Sequence, residues 1–207
     1  MKKKNPTYYR IIIVFSIAFL CAIIYSAINY TSLMQDAKSK MFDKNYELVT
    51  RAYDKHDYDL SKDQLNSAID AMTVIETNMD SSSHLQINQS IGELQLLQST
   101  IGSDLITSDV LKVILSRSLR TLSYGEIRLA REEILENNVD EGISCLNRAK
   151  NHLLTSLTYI KPIKQEDNKK IIGQIESLTN SLKKDENYAE KLEMLSLNSK
   201  KLLIGRN

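Results

Sequence analysis

Hydrophobic and polar positions divide this chain into one unbroken apolar stretch and a long series of periodic ones. Residues 11 to 28 carry no charge, come directly after a basic start, and have no counterpart further along. A helix needs about 20 such residues to cross a hydrocarbon core of roughly 30 Å. Tyr8, Tyr9 and Tyr30 extend the run into the headgroup zones where aromatic rings settle. The pattern predicts a single N-terminal transmembrane helix over residues 11–30.

After the anchor the apolar residues recur at helical spacing. Met34, Ala37, Met41, Leu48 and Ala52 mark one stretch, and Leu65, Ala68, Met72, Ile75 and Met79 the next, joined by the polar turn His56-Asp57-Tyr58-Asp59 with Ser61 as the expected N-cap. Ile87, Ile91, Leu94, Ile101 and Leu105, with Leu97 beside them, predict a third helix after Ser81-Ser82-Ser83. A long fourth helix from about Asp109 carries Leu111, Ile114, Leu115, Leu122 and Leu129 as far as Asn137-Asn138-Val139-Asp140. The return helix has Ile143, Leu146, Ala149, Leu153, Leu157 and Ile160, and is expected to stop before Pro162, since the residue preceding proline disfavours the α region. A last charged helix is expected from about Gln165 to Leu203, with a break near Lys184-Asp185. Only two prolines and six unclustered glycines occur, so strands are nowhere required. The expected fold is all-α: an antiparallel bundle of about five to six helices behind the anchor.

The pattern also repeats. At an offset of 81 residues, Leu65-Asn66-x-Ala68 matches Leu146-Asn147-x-Ala149, and Ile91-Gly92-x-Leu94-x-x-Leu97 matches Ile172-Gly173-x-Ile175-x-x-Leu178, with Asp59 over Asp140. The corresponding organisation is residues 1–10 inside the cell, 11–30 in the membrane, 31–106 and 107–184 as two copies of a three-helix unit, and 185–207 as a helical extension. The shared glycines weigh more than the leucines, because a glycine inside a helix costs about 1 kcal/mol and calls for a reason such as close helix contact. The second hairpin resembles a tetratricopeptide unit through Leu129, Ala130, Gly142, Leu146 and Ala149, where small residues of two helices meet. The first hairpin fits that pattern less well, with Val49 where a small residue belongs. The resemblance implies an α-hairpin of similar packing, and a plain helix bundle accounts for the same residues.

Charge sets the orientation. Lys2, Lys3, Lys4 and Arg10 precede the apolar run without any acidic residue, so the positive-inside bias keeps the N-terminus in the cytoplasm and places the rest in the periplasm or outside the cell. Beyond the run there are 23 basic against 26 acidic groups, which offers no surface for nucleic acid. A cleaved signal peptide has a shorter apolar region and small residues at the cut. Here Tyr25 and Leu20 spoil the cleavage and lipidation patterns, so an uncleaved anchor is favoured over a secreted form.

The chemistry is sparse. Cys21 and Cys145 cannot pair within one chain, and Cys145, with only Arg148 as a nearby cation, reads as a packing residue. His56, His84 and His152 lie apart; His56 with Asp57 and Asp59 is a solvated turn before it is a metal site. No phosphate loop, no nucleophile elbow and no cofactor motif is present in the sequence. The expected function is a membrane-anchored, non-enzymatic helical adaptor of the cell envelope that docks another envelope protein or a second copy of itself. Tyr188, Leu192, Leu195 and Leu202 form an apolar stripe on the last helix and are the candidate partner-binding surface. The alternative is a ligand-sensing helical ectodomain acting through a partner, marked by a buried polar cluster beside a cavity, with Arg117 or Arg120 turned inward.

Overall fold

A computed structural model describes residues 20, 33–77, 79–161, 165–184 and 188–204. The expected membrane span over 11–30, apart from Leu20, and the cytoplasmic segment 1–10 lie outside the described residues. Among the described residues no helix is long and apolar enough to cross a membrane. The chain divides into two compact units, Met1–Ala37 and Lys38–Asn207. In the first, residues 33–37 are helical.

The second unit is helical throughout, without a strand among the described residues. Its elements are α1 (38–54), α2 (Tyr58–Glu76), α3 (Ser81–Thr100), α4 (Ser108–Leu135), α5 (Val139–Leu157), α6 (Glu166–Lys183), α7 (Ala189–Ser199) and α8 (Lys201–Ile204). Side-chain oxygens start three of them by accepting the backbone N–H groups that a first turn leaves unpaired. Asp57 takes Leu60 N at 3.2 Å, Asp80 takes Ser83 N at 2.6 Å and Thr107 takes Val110 N at 3.3 Å. Asp57 thus fills the role expected of Ser61. Ser61 is instead buried where α2 crosses α1, its hydroxyl donating to Val49 O at 3.1 Å. The last predicted helix is three, α6 to α8, the first of them capped at Lys184.

Two hydrophobic clusters fill the unit. The first joins Phe42, Tyr46 and Val49 of α1 to α2, α3 and the leading half of α4; the second joins Ile127, Ala130 and Ile134 of α4 to α5, α6, α7 and Leu202. The inward face of α1 differs from the expected one: Met41 is exposed, and the aromatic residues Phe42, Tyr46 and Tyr53 point in. Burying an aromatic ring removes more apolar area from water than burying a methionine, and Tyr46 satisfies its hydroxyl inside by donating to Ser118 Oγ at 2.5 Å, which in turn donates to Leu115 O.

The hairpins α1–α2 and α4–α5 keep one register. α1 ends at residue 54 and α4 at Leu135, and α2 begins at Tyr58 and α5 at Val139, in both cases 81 residues later. His56 and Asn137, again 81 apart, are the two non-glycine residues with positive φ among the described residues, at 61° and 68°. Each turn closes the same way: His56 N bonds Tyr53 O and Asp57 N bonds Ala52 O, as Asn137 N bonds Ile134 O and Asn138 N bonds Glu133 O. Gly142 stands where Ser61 stands, and a Cβ there would lie 2.5 Å from Ile134 Cγ1 and 3.2 Å from Ala130 O. The glycines shared by the sequence repeat play no such part. Gly92 and Gly173 are exposed with nothing within 4 Å of a Cβ, which removes close contact as their reason. Gly142→Ala is therefore expected to destabilise the unit by about 1–3 kcal/mol through overpacking. Gly92→Ala and Gly173→Ala, by contrast, are expected to stabilise it by about 0.5–1 kcal/mol each. Urea unfolding of the three variants checks both signs.

Candidate functional site

An exposed, mainly apolar groove of about 440 Å³ lies between the C-terminal half of α3 and the N-terminal half of α4. It is lined by Leu96, Leu97, Leu105, Ile106 and Ile114, with the Glu93–Arg117 ion pair (3.1 Å) at its edge. Leu96 and Leu105 are 66% and 78% exposed, whereas Leu97 is buried and belongs to the first core cluster. The α3–α4 loop that carries Leu105 is fixed in place. Gly102, at φ 89°, lies against the Tyr58 ring; Ser103 N bonds Thr100 O and Ile106 N bonds Ser103 O; the Tyr53 hydroxyl donates to Ile106 O. Leu105, expected to continue the apolar spacing of α3, falls outside the helix.

The predicted stripe is elsewhere. Leu192, Leu195 and Leu202 are buried in the second cluster, and Tyr188 is half-buried against it. The chain's own α4 and α6 pack against α7, and these leucines belong to the core where an exposed stripe was expected. α6 ends at Lys183 and α7 spans Ala189–Ser199, the two helices falling on either side of the expected break near Lys184-Asp185.

Beneath the helices runs a buried polar seam between α1, α4 and α5. Arg148 Nε donates to both carboxylate oxygens of Glu126 at 3.1 Å, and its Nη2 reaches Glu141 at 3.4 Å and Cys145 Sγ at 3.0 Å. His152 is fully buried, with Nδ1 2.6 Å from Asp43 Oδ1 and Nε2 3.1 Å from Ser39 Oγ. Burial alone would lower the His152 pKa, but the charge and hydrogen bond of Asp43, helped by Glu126 and opposed by Arg148, hold it above the ordinary histidine value. The thiol of Cys145 is pushed up, by burial first and then by Glu126, so it stays protonated and unreactive despite the adjacent Arg148. The expected inward arginines, Arg117 and Arg120, are only partly buried; the residues turned fully inward are Glu126, Arg148 and His152. One signal in the sequence points to this seam, since Glu126 interrupts the apolar spacing of a helix whose neighbours are buried all round.

The order Asp43–His152–Ser39 has the connectivity of an acyl-transfer triad, and the surroundings deny it that role. Ser39 lies inside a helix and is buried, with its backbone amide in a helical ladder in place of an exposed elbow beside two free N–H donors. A second groove, of about 510 Å³, opens between the same helices and is lined by Asp43, Lys44, Arg51, Lys112, Thr155 and Tyr159 among others, but by neither Ser39 nor His152. His56 bonds the Tyr58 hydroxyl at 3.1 Å, and among the described residues no group of three or more acidic, histidine or cysteine side chains is placed to hold a metal.

The raised His152 pKa carries a sign. A group whose pKa is higher folded than unfolded contributes its full stability below the unfolded value, about 6.5, and loses it as the pH rises through the folded value. The unit is therefore expected to lose stability on going from about pH 6 to pH 9 more steeply than His152→Gln, whose seam has no such proton to lose. Urea unfolding of the two proteins across that range measures the difference in slope.

Compared with known proteins, the chain matches no protein-family model, no curated protein and no solved structure.

Proposed function

We propose that this chain is a membrane-anchored, non-enzymatic helical adaptor of the cell envelope, and that it docks another protein through the α3–α4 groove. The observation that carries the reading is that two strongly exposed leucines, Leu96 and Leu105, line one groove together with Ile106 and Ile114. Contiguous exposed apolar surface costs solubility, and a preformed groove of this kind suits recognition of a partner. The apolar run over 11–30 and the basic residues Lys2, Lys3, Lys4 and Arg10 before it support a place for the rest of the chain on the outer side of the cytoplasmic membrane. The matched hairpins support an origin by duplication of a three-helix unit, since register and turn conformation agree where sequence identity is low.

Ligand sensing is the second reading, and the polar groove of α1, α4 and α5 favours it, because its volume lies in the range of small-molecule sites. The two readings separate in one experiment. In the adaptor reading, Leu96→Glu with Leu105→Glu leaves the melting temperature of the full-length protein unchanged and abolishes co-isolation of its partner from membranes. Co-isolation that survives both substitutions contradicts it.

A further inference from the structure

We infer that a single structural water molecule is bound between α3, α4 and α8, held by the Ser90 hydroxyl and the Arg117 guanidinium. The site is independent of the adaptor reading. Two buried polar atoms on different helices lack a hydrogen-bond partner among the described residues: Oγ of Ser90, a residue only 5% exposed, and Nε of Arg117. The same guanidinium donates through Nη1 to Glu93 at 3.1 Å, so its ion pair leaves Nε unserved. A buried donor left without a partner is costly, and native proteins meet that demand with protein groups or with ordered water. Ser90 and Arg117 both line one small cavity, with Thr121 of α4 and Leu203 of α8 completing its wall.

Size and charge identify the ligand. The cavity leaves about 10 Å³ for the centre of a water-sized molecule. One water requires roughly 10–15 Å³ on that measure, so a second molecule or an organic ligand does not fit. The charges that line the cavity, Glu93 and Arg117, are a single ion pair and cancel, which favours a neutral ligand over an ion. The ligand must accept, because an Nε–H can only donate and the Ser90 hydroxyl has a proton to place. Water meets each demand. Its two lone pairs take Arg117 Nε–H and Ser90 O–H, and one of its protons goes to Thr121 Oγ1, which spends its own proton on Arg117 O at 3.1 Å. That makes about three hydrogen bonds, the usual complement of a buried water. Arg117 is thereby fixed at two nitrogens, Nη1 by Glu93 and Nε by the water, where its side chain also lines the α3–α4 groove.

The test is a high-resolution crystal structure of the full-length protein and of Ser90→Ala, each with and without a bromide soak. The expected result is one spherical peak within about 2.7–3.2 Å of both Ser90 Oγ and Arg117 Nε, without anomalous signal after the soak. In Ser90→Ala, which removes one partner without adding bulk, the peak should be lost. In solution, Arg117 Hε of the full-length protein in detergent should give a rotating-frame cross-peak to water with the sign of through-space contact, and Ser90→Ala should abolish it. An anomalous bromide peak makes the ligand an anion and overturns the inference. Density that shows Ser90 Oγ or Arg117 Nε bonded to a protein group instead overturns it, as does a water peak or cross-peak that is unchanged in Ser90→Ala.

Discussion

Arg148→Ala is expected to cost about 3–5 kcal/mol of folding stability, because it leaves the Glu126 carboxylate buried between α4 and α5 with its charge uncompensated. The pair itself is no stability bonus, since both ions were taken out of water to form it. A double replacement, Glu126→Leu with Arg148→Met, is therefore expected to recover most of the loss and to match the parent within about 1–2 kcal/mol. Urea unfolding of the single and double variants measures both. If Arg148→Ala matched the parent, the buried pairing would be wrong; if the double variant were as unstable as the single, the seam would be holding the helices by something other than charge balance.

Leu195→Ala is the second large effect. Leu195 is fully buried between α7 and the second cluster, so truncation removes apolar contact and leaves a cavity, at a cost of about 2–5 kcal/mol. Leu105→Ala, at a position 78% exposed, should change stability by no more than about 0.5 kcal/mol. Thermal unfolding of the two variants distinguishes them directly. Equal melting temperatures would mean that α7 does not pack as described.

These two leucines also show what the sequence made legible and what it did not. Periodicity placed the helices and identified most of the core of α2 to α5, because buried leucines and isoleucines every three or four residues leave little choice of face. It misread α1, where Met41 and Leu48 compete with Phe42, Tyr46 and Tyr53 for the inward side, and only the packing against α4 and α5 decides between them. It took the stripe of Leu192, Leu195 and Leu202 for an exposed face for a related reason. Leu195 and Leu105 are the same residue type at helical spacing from their neighbours, and whether either is covered depends on tertiary packing: Leu195 lies in the second cluster, while Leu105 falls in the loop beyond Gly102.

The repeat was legible in its register and not in its cause. In the two hairpins the offset of 81 residues is kept by the ends of α1 and α4, by the bounds of α2 and α5 and by the positive-φ residues His56 and Asn137, whereas α3 and α6 do not keep it and the glycines that suggested it, Gly92 and Gly173, face open space. The residues that do meet at the hairpin crossings are Ser61 and Gly142, which differ in type and so carry no identity. The resemblance of Ala130, Gly142 and Ala149 to a tetratricopeptide hairpin describes real close packing of α4 on α5, since Ala130 and Ala149 are fully buried and no Cβ fits at Gly142. The polar seam was the least legible part. Asp43 and His152 are 109 residues apart, and nothing in the spacing of either announces the other.

The measurement that bears most directly on the proposed function is photo-crosslinking in living cells, with a photoreactive residue placed at Leu105 in one full-length protein and at Leu195 in another, and the products identified by mass spectrometry. The adaptor reading predicts one distinct envelope protein trapped from Leu105 and only intramolecular products from Leu195. A partner trapped from Leu195, with none from Leu105, would contradict it.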